Sequence, residues 1–121
     1  MKILLLGASG QLGTELNRQL LLIAEIKAYT RSELDITDTQ AVIETISSFK
    51  PNVIVNAAAY TAVDKAEEDK VNADKINHLA VKSLAKFPSL PLVIIYSINI
   101  TLPSVNCFPI VPSPNVISYF L

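Results

Sequence analysis

The sequence predicts an α/β fold, a doubly wound parallel sheet of about four strands and three helices. Three observations carry that prediction. Short apolar runs at residues 3–6, 53–55 and 92–96 alternate with segments of helical periodicity, and strands buried on both faces read as continuous apolar runs. The three glycines, Gly7, Gly10 and Gly13, fall in one window directly after the first run. Half of the 121 residues are hydrophobic and 17% are charged, which suits one core and excludes disorder for most of the chain.

Taken in order, residues 3–6 form a buried strand that stops at Gly7. Leu12, Leu16 and Leu20 then recur at helical spacing among Glu15, Asn17, Arg18 and Gln19, giving the first helix. Residues 26–30 are the second strand. Thr37 and Gln40 form a T-x-x-Q capping box, followed by Val42, Ile43, Ile46 and Phe49 as one apolar helix face. Pro51 ends that helix and residues 53–55 make the third strand. From about residue 66 to 86 the chain is charged at first, a solvated face at residues 64–70. It then places Ile76, Leu79, Ala80 and Leu84 at helical spacing, with residues 92–96 as the fourth strand.

Residues 1–97 therefore read as one domain, and 98–121 as an uncharged, proline-rich tail. Pro103, Pro109, Pro112 and Pro114 argue against a helix or a central strand there. Residues 87–121 carry no charge, where average composition would place about eight or nine. No internal repeat is present.

Ten basic residues against eleven acidic ones leave a net charge of -1, with no electrostatic footprint for nucleic acid or an anionic membrane. The single cysteine, Cys107, has no partner within the chain for a disulfide. No stretch reaches the roughly 18 apolar residues of a membrane span, and the opening apolar run is too short for a signal peptide. A cytoplasmic location is expected. His78 has no second ligand at metal spacing, so no metal site is expected. The sequon at Asn99 is incidental without a secretory signal.

The run Gly7-Ala8-Ser9-Gly10-Gln11-Leu12-Gly13 joins a strand to a helix, the setting in which such glycines bind a dinucleotide. The first permits a tight turn, the second lets a pyrophosphate approach the backbone, and the third lets the helix pack closely on the sheet. Free amides and the helix dipole then face the phosphates. The spacing is GxxGxxG with no lysine after it, which excludes a Walker-type ATP loop. The fold expected is thus a Rossmann-like doubly wound parallel sheet. At the end of the second strand, where an acidic residue would select NAD, the chain carries Arg31, which suits a 2′-phosphate. NADPH is favoured, with NADH as the other cofactor. Asp35 and Ile36 flank the adenine, although Asp35 also suits the cap of the next helix.

The block NAAAYTAVDKAE at residues 56–67, with GASGQLG and LDITD at 34–38, closely resembles the dTDP-4-dehydrorhamnose reductase family, extended short-chain dehydrogenase/reductases. The resemblance covers residues 1–97, roughly the first third of a family member. It implies reduction of dTDP-4-dehydro-6-deoxy-L-mannose to dTDP-L-rhamnose by NADPH or NADH. A tyrosine donates the proton, a lysine four residues later lowers its pKa, and a serine or threonine positions the ketone. Carried onto this chain, Ala57, Ala58 and Ala59 line the cofactor crevice, and Tyr60 and Thr61 contact the cofactor or its ribose. Asn77 looks like the family's helix-four asparagine. The cofactor-binding set is thus Gly7, Ser9, Gly10, Gln11, Leu12, Gly13, Arg31, Asp35, Ile36, Ala57, Ala58, Ala59, Tyr60 and Thr61.

The family continues Y-S-T-D-Y-V-F-D-G after its fourth strand, whereas this chain reads Tyr96-Ser97-Ile98-Asn99-Ile100. Isoleucine at the threonine position has no hydrogen bond to give a ketone, and no YxxxK follows. The expectation is a dinucleotide-binding N-terminal fragment, inactive as a reductase, whose tail from Ile98 is a frameshifted reading. Exposed sheet edges would favour self-association. The sugar nucleotide is a substrate of the full-length family only. A non-catalytic dinucleotide-binding module or regulatory subunit is the alternative, and a small enzyme using Ser97 and Tyr119 is a third reading.

Overall fold

The computed structural model describes residues 1–58, 69–80, 84, 93–97 and 116–120, the last two segments by their backbone. Its elements are β1 (Lys2–Leu6), α1 (Gln11–Leu20), β2 (Glu25–Tyr29), α2 (Thr39–Phe49), β3 (Val53–Asn56), α3 (Lys70–Asp74), β4 (Val93–Ser97) and β5 (Val116–Phe120), with a π-helical turn at Lys75–Leu79 extending α3.

The strands form one sheet in the order β2-β1-β3-β4-β5, every pairing parallel. From β1 the chain steps one way to β2, then crosses β1 to reach β3 on its other side. Right-handed crossovers place the helices of opposite steps on opposite faces. The core divides accordingly. Leu4, Leu6 and Ile54 meet Val42, Ile46 and Phe49 of α2 and Ile76, Ala80 and Leu84 on one face. Ile3, Leu5 and Val55 meet Leu16 and Leu20 of α1 on the other. Continuous apolarity in β1 is thus the signature of a strand covered twice, and Leu4, Leu5 and Leu6 are wholly buried.

The fifth strand exceeds the expected four. Val116–Phe120 lies in the stretch read as a tail and pairs with β4 from Val93↔Val116 to Ser97↔Phe120. Its five residues follow Pro114, include the β-branched and aromatic types that suit a pleated surface, and hold the sheet's edge, where neighbouring prolines do not interrupt a ladder. The edge of β4 is therefore paired with this strand.

Two local expectations are corrected. Asp38, not Thr37, caps α2: its carboxylate accepts from the Ala41 N–H at 3.1 Å. Thr37 instead gives both its N–H and its hydroxyl to Asp35 at 2.9 and 2.7 Å, and Gln40 donates to Glu44, so no T-x-x-Q box forms. A carboxylate is the stronger acceptor for orphan amides, and two candidate caps in sequence compete on that basis. Leu79 is the second correction. It is 48% exposed, whereas Ile76, Ala80 and Leu84 turn inward at four-residue intervals. At the other end of α2, Lys50 adopts the left-handed conformation (φ 51°, ψ 61°) ahead of Pro51, which disfavours helical backbone at the residue before it.

Candidate dinucleotide-binding crevice

In an open parallel sheet, ligands bind beyond the carboxyl ends of the strands, where the chain direction reverses. Here that point lies between β1 and β3, and the segments leaving them are Gly7–Gly10 and Ala57–Ala58. Gly7 turns the chain off β1 with φ +79°. The Tyr29 carbonyl at the end of β2 anchors the turn by accepting from both Gly7 and Ala8 N–H at 3.0 Å.

The glycines divide by what surrounds them. A Cβ on Gly7 would stand 2.5 Å from the Ala58 nitrogen, and one on Gly13 would stand 2.0 Å from the Gly7 carbonyl oxygen. Both positions are closed by backbone, so these two glycines let β1, β3 and α1 come together. A Cβ on Gly10 would find its nearest neighbour at 3.6 Å, an ordinary contact. Gly10 faces the crevice, and packing against the described residues does not require it to be glycine.

Gly10 also occupies the N-cap of α1, where it offers no side-chain acceptor, and the first turn holds no acidic residue. The first amides of a helix lack intrahelical partners, and with the helix dipole they favour an anion. By contrast, α2 and α3 carry the caps Asp38 and Asp69. On the β3 side, Asn56 is fully buried, and its Oδ1 accepts from the Ala58 N–H at 3.1 Å, holding the Ala57–Ala58 turn against Gly7. Its Nδ2 has no hydrogen-bond partner among the described residues.

Between these segments lies a cavity of about 190 Å³ lined by Gly7, Ser9, Gly10, Arg31, Leu34, Asp35, Ile36, Ala57, Ala58 and Ile76. A second, more open recess adjoins it, lined by Ser9, Thr30, Arg31, Ser32 and Asp35. Of the residues singled out from sequence, the fold brings Gly7, Ser9, Gly10, Arg31, Asp35, Ile36, Ala57 and Ala58 to one cavity. Gln11, Leu12 and Gly13 stand in the first turn of α1 and do not line it. Ala59, Tyr60 and Thr61 lie outside the described residues, as do the side chains of Asn77 and His78.

Asp35 belongs to the crevice and not to a helix cap. The Thr37 hydroxyl, then the Thr37 N–H, hold its carboxyl below the ordinary aspartate value, with a smaller contribution from the charge of Arg31. Arg31 itself is exposed and forms no ion pair among the described residues. Leu34 and Ile76 are lining residues that sequence reasoning missed. Leu34 was within reach, since it alternates with Ile36 about Asp35. Ile76 enters from the π-helical turn of α3, and nothing local to it signals that approach.

With this geometry in place, comparison with known proteins is decisive. The RmlD substrate binding domain profile matches residues 1–95. The chain belongs to that family. The dTDP-4-dehydrorhamnose reductase of Burkholderia thailandensis is 45% identical over 85 residues, which are 70% of this chain and 28% of that protein. Among solved structures, the dTDP-4-dehydrorhamnose reductase of Clostridium acetobutylicum superposes with a TM-score of 0.75 at 42% identity, covering 81% of this chain and 36% of that one. The Bacillus anthracis enzyme, solved in complex with NADP, gives a TM-score of 0.74 at 29% identity, covering 80% and 36%. This chain spans about a third of the length of such relatives.

Proposed function

We propose that the crevice between β1 and β3 binds NADPH, with NADH as the second ligand, as the cofactor-binding part of a dTDP-4-dehydrorhamnose reductase fold. The observation that carries this reading is that Gly10, the N-cap of the bare α1 N-terminus, and Arg31, which forms no ion pair among the described residues, line one cavity. The α1 amides and Gly10 would hold the pyrophosphate. Leu34, Ile36 and Ile76 present apolar surface for the adenine. Arg31 would meet the 2′-phosphate in the adjoining recess, with Asp35 beside it. By the family resemblance, Ala59 would line the crevice with Ala57 and Ala58, and Tyr60 and Thr61 would contact the cofactor or its ribose.

Bound NADPH supplies a hydride, and the family's ketone reduction also needs a proton donor and a residue that positions the ketone. Ile98 stands where the resemblance places the positioning threonine, and its side chain donates no hydrogen bond. We therefore read these 121 residues as binding cofactor without reducing a sugar nucleotide. Residues 1–97 would bind the dinucleotide, and β5 would cover the β4 edge that otherwise favours self-association.

Calorimetric titration of wild type and Arg31→Ala with NADPH and NADH tests the reading. The expected result is tighter binding of NADPH by wild type and selective loss of that preference in the variant. An equal loss for both nucleotides, or no loss for either, removes the 2′-phosphate assignment. Oxidation of NADPH dependent on dTDP-4-dehydro-6-deoxy-L-mannose would overturn the non-catalytic part.

A further inference from the structure

Arg31 sits on a turn whose hydrogen bonds converge on one side chain. The turn closes through the Glu33 and Leu34 N–H groups, which donate to the Thr30 carbonyl at 3.2 and 3.0 Å. One oxygen of the Glu33 carboxylate then accepts from both the Thr30 N–H and the Thr30 hydroxyl, each at 2.8 Å. The Thr30 and Ser32 hydroxyl oxygens lie 3.1 Å apart. A threonine hydroxyl has one proton and an ionised carboxylate only accepts. With the Thr30 proton given to Glu33, Ser32 must be the donor to Thr30. The resulting chain runs from Ser32 through Thr30 to Glu33 and brackets Arg31 on both sides. Thr30, Arg31 and Ser32 of this turn also line the recess beside the crevice.

We propose that Glu33 is the positioning residue that sets the preference for a 2′-phosphorylated dinucleotide, by fixing the turn that presents Arg31. This rests on the cofactor reading given above. Glu33 does not itself line the recess. Two effects of this residue have opposite signs. As a bare negative charge it would repel a phosphate, and removing it would strengthen NADPH binding. As the staple of the Arg31 turn it holds a cation in place, and removing it would weaken NADPH binding. Glu33 is exposed, so solvent and salt screen its repulsion, whereas the hydrogen bonds act at contact distance. The staple is expected to win.

The test compares the ratio of NADPH to NADH affinity for wild type, Glu33→Gln and Glu33→Ala in the full chain, with melting temperatures alongside. Glutamine removes the charge but keeps an acceptor for Thr30, and alanine removes both. The expected result is a ratio lowered about threefold to tenfold in Glu33→Ala, through weaker NADPH binding alone, and restored to within about twofold by Glu33→Gln. NADH is the internal control, because a general loosening of the fold would weaken both nucleotides together. An unchanged or raised ratio in Glu33→Ala overturns the proposal while leaving the cofactor reading intact, and so does a parallel loss for both nucleotides. Failure of wild type to bind either nucleotide overturns the cofactor reading and this inference together.

Discussion

Placing a methyl group on each glycine of the loop in turn separates what the fold requires from what a ligand requires. In Gly13→Ala the new Cβ falls 2.0 Å from the Gly7 carbonyl oxygen and 2.9 Å from the Ala8 Cα. Both obstacles are backbone, so α1 must move, and overpacking of this kind costs about 1–3 kcal/mol or more. In Gly7→Ala the Cβ falls 2.5 Å from the Ala58 nitrogen, and the φ of +79° adds about 1–2 kcal/mol of left-handed strain. Each should lose about 3 kcal/mol, a large share of a typical margin of roughly 5–15 kcal/mol, and on the order of 10 °C in melting temperature. Gly10→Ala differs. Its φ of -72° and ψ of 168° suit alanine, and the nearest atom stands at 3.6 Å. The poorer N-cap costs about 1 kcal/mol, and the reduced freedom of the unfolded chain returns about 0.4–1 kcal/mol. Its stability should therefore lie within about 1 kcal/mol of wild type, while NADPH affinity falls about tenfold as the methyl group separates the backbone from the pyrophosphate. Urea denaturation and calorimetric titration of the three variants measure both quantities. Gly10→Ala as unstable as Gly13→Ala would refute the packing reasoning, and wild-type NADPH affinity in a folded Gly10→Ala would refute the approach of the ligand over Gly10.

Further outcomes follow from the local geometry. Asp38→Ala should cost about 1 kcal/mol through loss of the α2 cap, whereas Thr37→Ala should cost less than half as much; reversed values in thermal unfolding would restore Thr37 as the cap. Lys50→Gly should stabilise the chain by about 0.5–1 kcal/mol by relieving the left-handed backbone before Pro51, and a lower melting temperature would contradict it. The carboxyl of Asp35 is held below its ordinary value of 3.8 by Thr37. Because that folded value is depressed, its contribution to stability is present above the ordinary value and is lost as pH falls through the lowered one. Thr37→Val removes the hydroxyl donor and keeps the backbone N–H, so it should raise the Asp35 pKa in an NMR titration, and an unmoved titration would show that the hydroxyl hydrogen bond does not set it.

Much of the crevice was legible in the sequence because its parts are local. A glycine at a strand end and a small residue where a helix begins carry their meaning in adjacent residues, whereas the alanines after the third strand are assigned to the crevice by the family resemblance. Leu34 and Ile36 obey the same local logic, alternating about Asp35 so that both line the cavity. The misread parts share a different cause. Whether Thr37 or Asp38 caps α2 depends on which partner reaches the other first, and Asp35 draws Thr37 away. Leu79 fits the helical period as well as Ala80 does, but only the narrower stripe of Ile76, Ala80 and Leu84 meets the sheet. The strand at Val116–Phe120 pairs with β4, which is distant in sequence, and its identity comes from that open edge.

The sequence by itself determined the alternation of strand and helix, the parallel sheet, the glycine turn and the family. The first three rest on periodicity, residue shape and motif spacing over a few consecutive positions, where the covalent chain keeps the relevant groups together, and the family rests on the resemblance of the blocks at 7–13, 34–38 and 56–67. Only the tertiary structure decided the strand order β2-β1-β3-β4-β5, the difference between Gly10 and its two neighbours, the entry of Ile76 into the crevice and the bonds from Thr30 to Glu33 that staple the Arg31 turn. Each of those depends on distances between atoms whose separation is set by packing, and hydrogen-bond competition and backbone contact are resolved only once the sheet and its helices have closed on one another.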